Sequence, residues 1–84
     1  MFYVYILQSE IDRNYYVGFT ADLQKRFKQH NEGQVKSTKN RRPLKIVYYE
    51  ACCNQTDAIH REKYLKTSWG KRYIKGRIKN CLTG

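Results

Sequence analysis

At 84 residues the chain has room for one domain and one modest core. Its 17 Lys and Arg against 7 Asp and Glu give a formal charge of +10, a self-repulsion that a polyanionic partner relieves. No apolar run reaches membrane-spanning length, and the 3 cysteines are too few and too poorly spaced for a disulfide framework or a zinc site.

Taken in order, Phe2 to Leu7 is aromatic and branched, which predicts a strand. The segment lacks the basic start and small-residue cleavage site of a signal peptide, so the expected location is cytoplasmic. Strand alternation puts Tyr3, Tyr5 and Leu7 on one face and Phe2, Val4 and Ile6 on the other. Residues 8–14, with Asp12 and Asn14, predict a hairpin connection, and Tyr15 to Phe19 the returning strand, with Tyr16 and Gly18 on a common face.

Thr20 is the expected N-cap of a first helix, with Asp22 in its first turn, an end near Asn31, and Gly33 just beyond. Leu23 and Phe27 mark its buried face. His30 falls between them on the helical wheel and Arg26 lies beside the stripe. A polar loop follows over 33–43, carrying Lys36, Lys39, Arg41 and Arg42. Leu44 to Glu50 predicts a third strand, and Asn54 or Thr56 the start of a second helix with an apolar arc of Ala58, Ile59 and Leu65. Glu62 falls inside that arc, an uncomfortable place for a carboxylate. A break is expected around Trp69-Gly70, then a third helix with Ile74, Ile78 and Leu82 as its stripe and Lys71, Arg72, Lys75, Arg77 and Lys79 on the remaining surface. This order predicts an α+β (mixed α/β) fold in a single domain over 1–84.

Charge and aromatic content together point to nucleic acid as partner. An anionic membrane is the lesser option, because no segment combines strong basic and apolar faces. Lys36, Lys39, Arg41 and Arg42 form one candidate phosphate track, and Lys71, Arg72 and Lys75 another. Tyr48, Tyr49, Trp69 and Tyr73 are candidates for stacking on unpaired bases, or alternatively core residues.

Several short patterns then fall into one order. Tyr3-Val4-Tyr5 and Tyr16-Val17-Gly18 resemble the two half-motifs of the GIY-YIG nuclease family, with Tyr3 in place of the first glycine. Arg26 and His30 follow one turn apart, and Ala58-Ile59-His60-Arg61-Glu62 with Leu65-Lys66 resembles the family's glutamate helix. The match is to the short stand-alone branch and covers nearly the whole chain. It implies a three-stranded antiparallel sheet flanked by about three helices, and divalent-metal-dependent hydrolysis of nucleic-acid phosphodiesters, with DNA the expected substrate and repair or processing the expected setting. A separate DNA-recognition domain, common in the family, has no room here, and a monomer or weak homodimer is expected.

The residue types suit that chemistry. Glu62 is a hard oxygen ligand for Mg²⁺ or Mn²⁺, and Mg²⁺ needs few protein ligands. Arg26 can hold the scissile phosphate. Tyr5, Tyr16 and His30 are alternative general bases, and the sequence leaves the choice open. Each has an ordinary alternative: sheet aromatics for the tyrosines, a helix-end histidine, an exposed arginine, and a Glu62–Lys66 surface pair at i, i+4. Asn80 is given no role. The competing function is a non-catalytic basic nucleic-acid-binding module that retains the nuclease fold; a structural protein of a ribonucleoprotein is a third reading.

Overall fold

In the computed structural model, which describes residues 1–78, the aromatic opening segment becomes the central strand β1 (Phe2–Ser9). It is flanked by β2 (Tyr15–Thr20) and β3 (Leu44–Cys52) in an antiparallel sheet of order β2-β1-β3. The expectations for Lys79, Asn80, Cys81 and Leu82 lie outside the described residues. Three helices, α1 (Leu23–Asn31), α2 (Gln55–Leu65) and α3 (Ser68–Arg77), complete the α+β fold that the sequence predicts. No helix among the described residues is long and apolar enough to cross a membrane.

A central strand needs apolar residues on both faces, and β1 supplies them in alternation. Val4 and Ile6 join Ala58, Leu65, Ile74 and Ile78 beneath α2 and α3, while Tyr5 and Leu7 join Leu44, with Leu23 and Phe27 of α1 packed against them. A bulge between Ile6 and Leu7 in the β1–β3 pairing inserts an extra residue in β3. Val47 and Tyr48, neighbours in sequence, therefore both pack against the α2–α3 core.

Three boundaries differ from expectation. The N-cap of α1 is Asp22, whose side chain accepts from the Lys25 N–H at 3.1 Å. Thr20 ends β2 instead, and its hydroxyl accepts from Asp22 N–H at 3.1 Å, shaping the strand-to-helix turn. β3 continues past Glu50 to Cys52 because its ladder to β1 runs on to Phe2. The break before α3 comes at Lys66-Thr67, not at Trp69-Gly70. Thr67 caps α3 by accepting from Gly70 N–H at 3.2 Å, and its hydroxyl donates to the Tyr64 carbonyl at 2.6 Å. Gly70 lies inside α3 because a Cβ there would overlap the Tyr64 carbonyl oxygen and the Leu65 Cα. Its role is to let the two helices approach, not to end one.

A polar clamp fixes α2 against β3. Arg61 donates to both carboxylate oxygens of Glu50, with Nη2 at 2.9 Å, and its guanidinium lies over the rings of Tyr64 and Tyr73. Burial pushes the Glu50 carboxyl up, but bonds from Arg61 and Tyr48 outweigh it and hold the group below its ordinary value.

Candidate active site

Tyr5 sits on the α1 side of β1, directly opposite Gly18 of β2. A Cβ on Gly18 would lie 2.6 Å from the Tyr5 hydroxyl oxygen. The glycine of the second half-motif thus makes room for the tyrosine of the first. Tyr5 is 1% exposed and its hydroxyl lies 2.9 Å from Nε2 of His30, which is itself fully buried in the last turn of α1. One turn earlier, Arg26 directs Nε toward the same hydroxyl oxygen at 3.4 Å and Nη1 toward Gln29. Tyr16 closes the group, its ring centroid 5.0 Å from that of His30 and 6.4 Å from that of Tyr5.

The other histidine nitrogen, Nδ1, lies 2.8 Å from the Thr38 hydroxyl oxygen. That hydroxyl in turn donates to the Val35 carbonyl at 3.4 Å, so its lone pair is left to accept from Nδ1–H. This network assigns the tautomer: Nδ1 carries the proton and Nε2 accepts from the Tyr5 O–H. Burial, and next the Arg26 charge, push His30 down to about 4, so the ring is neutral at pH 7. Burial raises the Tyr5 pKa, against the bond from Arg26, which keeps the phenol protonated. Thr38 was not visible as a site residue in the sequence. It stands in a polar loop with no periodicity, and its burial comes from the fold of residues 33–43 beneath α1.

Glu62 projects from α2, half-buried, with Lys66 Nζ at 3.3 Å. The i, i+4 pair is therefore formed. The carboxylate is also near enough to Tyr5 for its charge to raise that hydroxyl's pKa. Tyr5, Tyr16, Arg26 and His30 thus gather around one point, with Glu62 within electrostatic range of Tyr5. Among the described residues no group of three or more His, Cys, Asp or Glu could hold a metal. A lone, accessible carboxylate does not suit zinc, but it fits a cation that keeps most of its water shell.

The basic residues divide. Lys36 and Lys39 are exposed on the loop that carries Thr38. Arg41 is committed to Asp12 at 3.2 Å, and Arg42 donates to the Lys39 carbonyl at 2.8 Å. Lys71 and Lys75 point from α3 toward β2, whereas Arg72 lies over the Trp69 ring on another side of that helix. Tyr49 is exposed and packs edge-on against Tyr3, the residue that replaces the first glycine of the motif.

A family model described as the GIY-YIG catalytic domain matches residues 1–77. This chain belongs to the GIY-YIG family. Its relatives include UPF0213 proteins of Clostridium perfringens, 46% identical over 79% of this chain and 71% of the relative, and of Pediococcus pentosaceus, 40% identical over 98% and 86%. The solution NMR structure of a UPF0213 protein from Bacillus halodurans superposes with a TM-score of 0.57 at 31% identity, covering 90% of this chain and 84% of that one. GIY-YIG is a nuclease fold, so nuclease chemistry is the framework for the site, and nucleic acid its substrate.

Proposed function

We infer that this GIY-YIG protein is a divalent-metal-dependent endonuclease that hydrolyses nucleic-acid phosphodiester bonds, with DNA the favoured substrate and repair or processing its setting. The observation that carries the reading is the buried chain Tyr5–His30–Thr38 beside Arg26. A hydrogen-bonded tyrosine and a neutral, tautomerically fixed histidine are more than sheet packing needs.

In this reading Arg26 holds the scissile phosphate and stabilises the charge that builds on it. Tyr5 positions the attacking water. As the water oxygen bonds to phosphorus, its proton passes to the Tyr5 oxygen, while the Tyr5 proton moves to Nε2 of His30. His30 becomes a transient imidazolium, held by Thr38, as the phosphorus–oxygen bond to the leaving group breaks; the leaving oxygen takes a proton from solvent water, and His30 returns its proton through Tyr5 to solvent. The burial that keeps His30 neutral also keeps Nε2 free to accept. Glu62 would hold Mg²⁺ or Mn²⁺, which when bound polarises the phosphate and stabilises the leaving oxygen. Tyr16 flanks the histidine and shapes the pocket.

The test is cleavage of end-labelled single-stranded, duplex and branched DNA, and of RNA, with Mg²⁺, Mn²⁺ or EDTA. Metal-dependent cutting that Glu62→Ala and Arg26→Ala both lose is the expected result. Cutting by Glu62→Ala at the parent rate would refute its role. The Lys66–Glu62 ion pair favours a second reading, in which the carboxylate is already satisfied and the protein only binds nucleic acid. Tight binding without turnover on any substrate would select it.

A further inference from the structure

The strand segment Tyr15–Val17 borders a second space besides the His30 site. Between β2 and the α2–α3 pair lies a cleft of about 500 Å³. That volume is within the range of small-ligand sites. Tyr15, Tyr16 and Val17 form one wall, Leu65 and Ile74 the other, and Lys66, Lys71 and Lys75 stand around it. The cleft shares Tyr16 with the site described above. Lys66, which bonds Glu62 at 3.3 Å, stands at the junction of the two.

The chemistry of the lining selects the occupant. The walls are hydrocarbon and aromatic, and among the described residues every ionisable side chain around them other than the tyrosines is a lysine and no carboxylate lines the cleft. A sugar would find few acceptors there, and a cationic ligand would be repelled. A flat apolar body that carries anions is what fits. Lys71 and Lys75 are one turn apart on α3 and line the cleft together with Ile74, so two basic side chains border one apolar wall. Stacking on aromatic and apolar walls with phosphates on lysines is the way proteins hold unpaired nucleotides. A base within a duplex is already stacked and paired, and has no free face to offer the slot.

We propose that this cleft seats one unpaired nucleobase of the substrate, with its flanking phosphates on Lys71 and Lys75, one step along the strand from the phosphate at Arg26. The placement beside Arg26 rests on the nuclease reading; the base site itself does not. The preferred substrate is then a nucleic acid with an unpaired nucleotide next to the cleaved bond. Lys36 and Lys39, on the loop that carries Thr38 and outside the cleft's lining, serve only general attraction.

The test is binding in EDTA, so that it is independent of turnover. Fluorescein-labelled single-stranded oligodeoxynucleotides are titrated by anisotropy, unmodified or with one abasic position moved along the strand, beside a blunt duplex of equal length. The expected result is about a tenfold loss of affinity at one abasic position, and duplex binding weaker than single-strand binding. Lys71→Ala/Lys75→Ala, at two exposed positions, should weaken single-strand binding, lower the salt dependence, and abolish the abasic penalty. Lys36→Ala/Lys39→Ala should lower affinity but keep the penalty. An abasic penalty at no position, equal binding of the duplex, or a penalty that survives Lys71→Ala/Lys75→Ala each overturns the proposal. The same holds if both alanines leave single-strand binding unchanged. A penalty that is retained by a protein cutting nothing would overturn the nuclease reading and leave the base site standing.

Discussion

The two faces of the sheet are built from alternate residues of one strand, yet they differ in kind. Under α2 and α3, Val4 and Ile6 meet Ala58, Leu65, Ile74 and Ile78 in a core of hydrocarbon. Under α1, Tyr5 and Leu7 meet a core crossed by a hydrogen-bonded chain, with His30 and Thr38 both fully buried. The first face gains stability by removing apolar area from water. The second gives up some of that gain to hold polar groups in fixed geometry, and every bond there has to be made because an unmade one is costly. The hydrocarbon core thus lies on one side of β1 and the buried hydrogen-bonded chain on the other.

That division breaks most visibly in a reciprocal pair. Ile78→Ala, on the apolar face, should cost about 2–5 kcal/mol in urea unfolding while the folded protein still cleaves. Arg26→Ala, half-exposed on the polar face, should lower cleavage about 10²–10³-fold and leave the unfolding midpoint nearly in place. Equal effects of the two on stability would remove the distinction.

The next effect is one of pH. His30 titrates at about 4 in the folded chain, against about 6.5 when unfolded. Between those values the unfolded chain binds the proton first. Stability from this group is therefore complete above pH 6.5 and is lost as pH falls toward 4, by about 3 kcal/mol in all. Among the described residues Arg26 is the charged group bearing on the ring, with Tyr5, Tyr16 and Thr38 as its other neighbours. Glu50, held low by Arg61, loses its own contribution only as pH falls below the ordinary carboxylate range. The slope between pH 6.5 and 4.5 belongs to His30 and should vanish in His30→Gln. A slope that persists in that variant would assign it elsewhere.

A pair of glycines in α3 sharpens the description of the apolar face. Alanine in place of a helical glycine usually gains up to about 1 kcal/mol. Gly76 has nothing within 4 Å of an added Cβ, and Gly76→Ala should show that gain. At Gly70 the Cβ would meet the α2 backbone, which cannot step aside, and Gly70→Ala should lose about 1–3 kcal/mol. Two substitutions of the same type in one helix then carry opposite signs, read by thermal or urea unfolding.

Gly70 also shows where the sequence stops being legible. The strands, their two faces, the helix pair Arg26–His30 and the position of Glu62 all follow from periods of 2 and 3.6, which are local. The cap at Asp22 and the break at Lys66-Thr67 were misplaced by two or three residues, because Thr20, Asp22, Thr67 and Gly70 all carry residue types suited to helix ends. Only the close contact with Tyr64 shows that Gly70 serves packing. Thr38 had no signal at all. A threonine in a basic loop acquires its meaning when the chain folds back under α1 and sets the hydroxyl against His30, 8 residues away.

Thr38 therefore offers the finest test of the polar face. Thr38→Val keeps the shape and deletes the hydroxyl, leaving the buried Nδ1–H without its acceptor, at a cost of about 1–2 kcal/mol. The larger consequence is chemical. Without Thr38 the proton is free to move to Nε2, which then donates to Tyr5 and no longer accepts from it. Proton relay through Tyr5 would stop, and cleavage should fall about 10²-fold. Thr38→Ser restores the hydroxyl and should restore both properties. Nitrogen-15 shifts of the His30 ring report which nitrogen carries the proton, something a merely structural role would not alter. If Thr38→Val loses stability but cleaves at the parent rate with Nε2 protonated, the buried chain is scaffold and the base must be sought at Tyr16. If the rate falls with the tautomer and returns with serine, a residue remote from the substrate sets the direction of proton transfer.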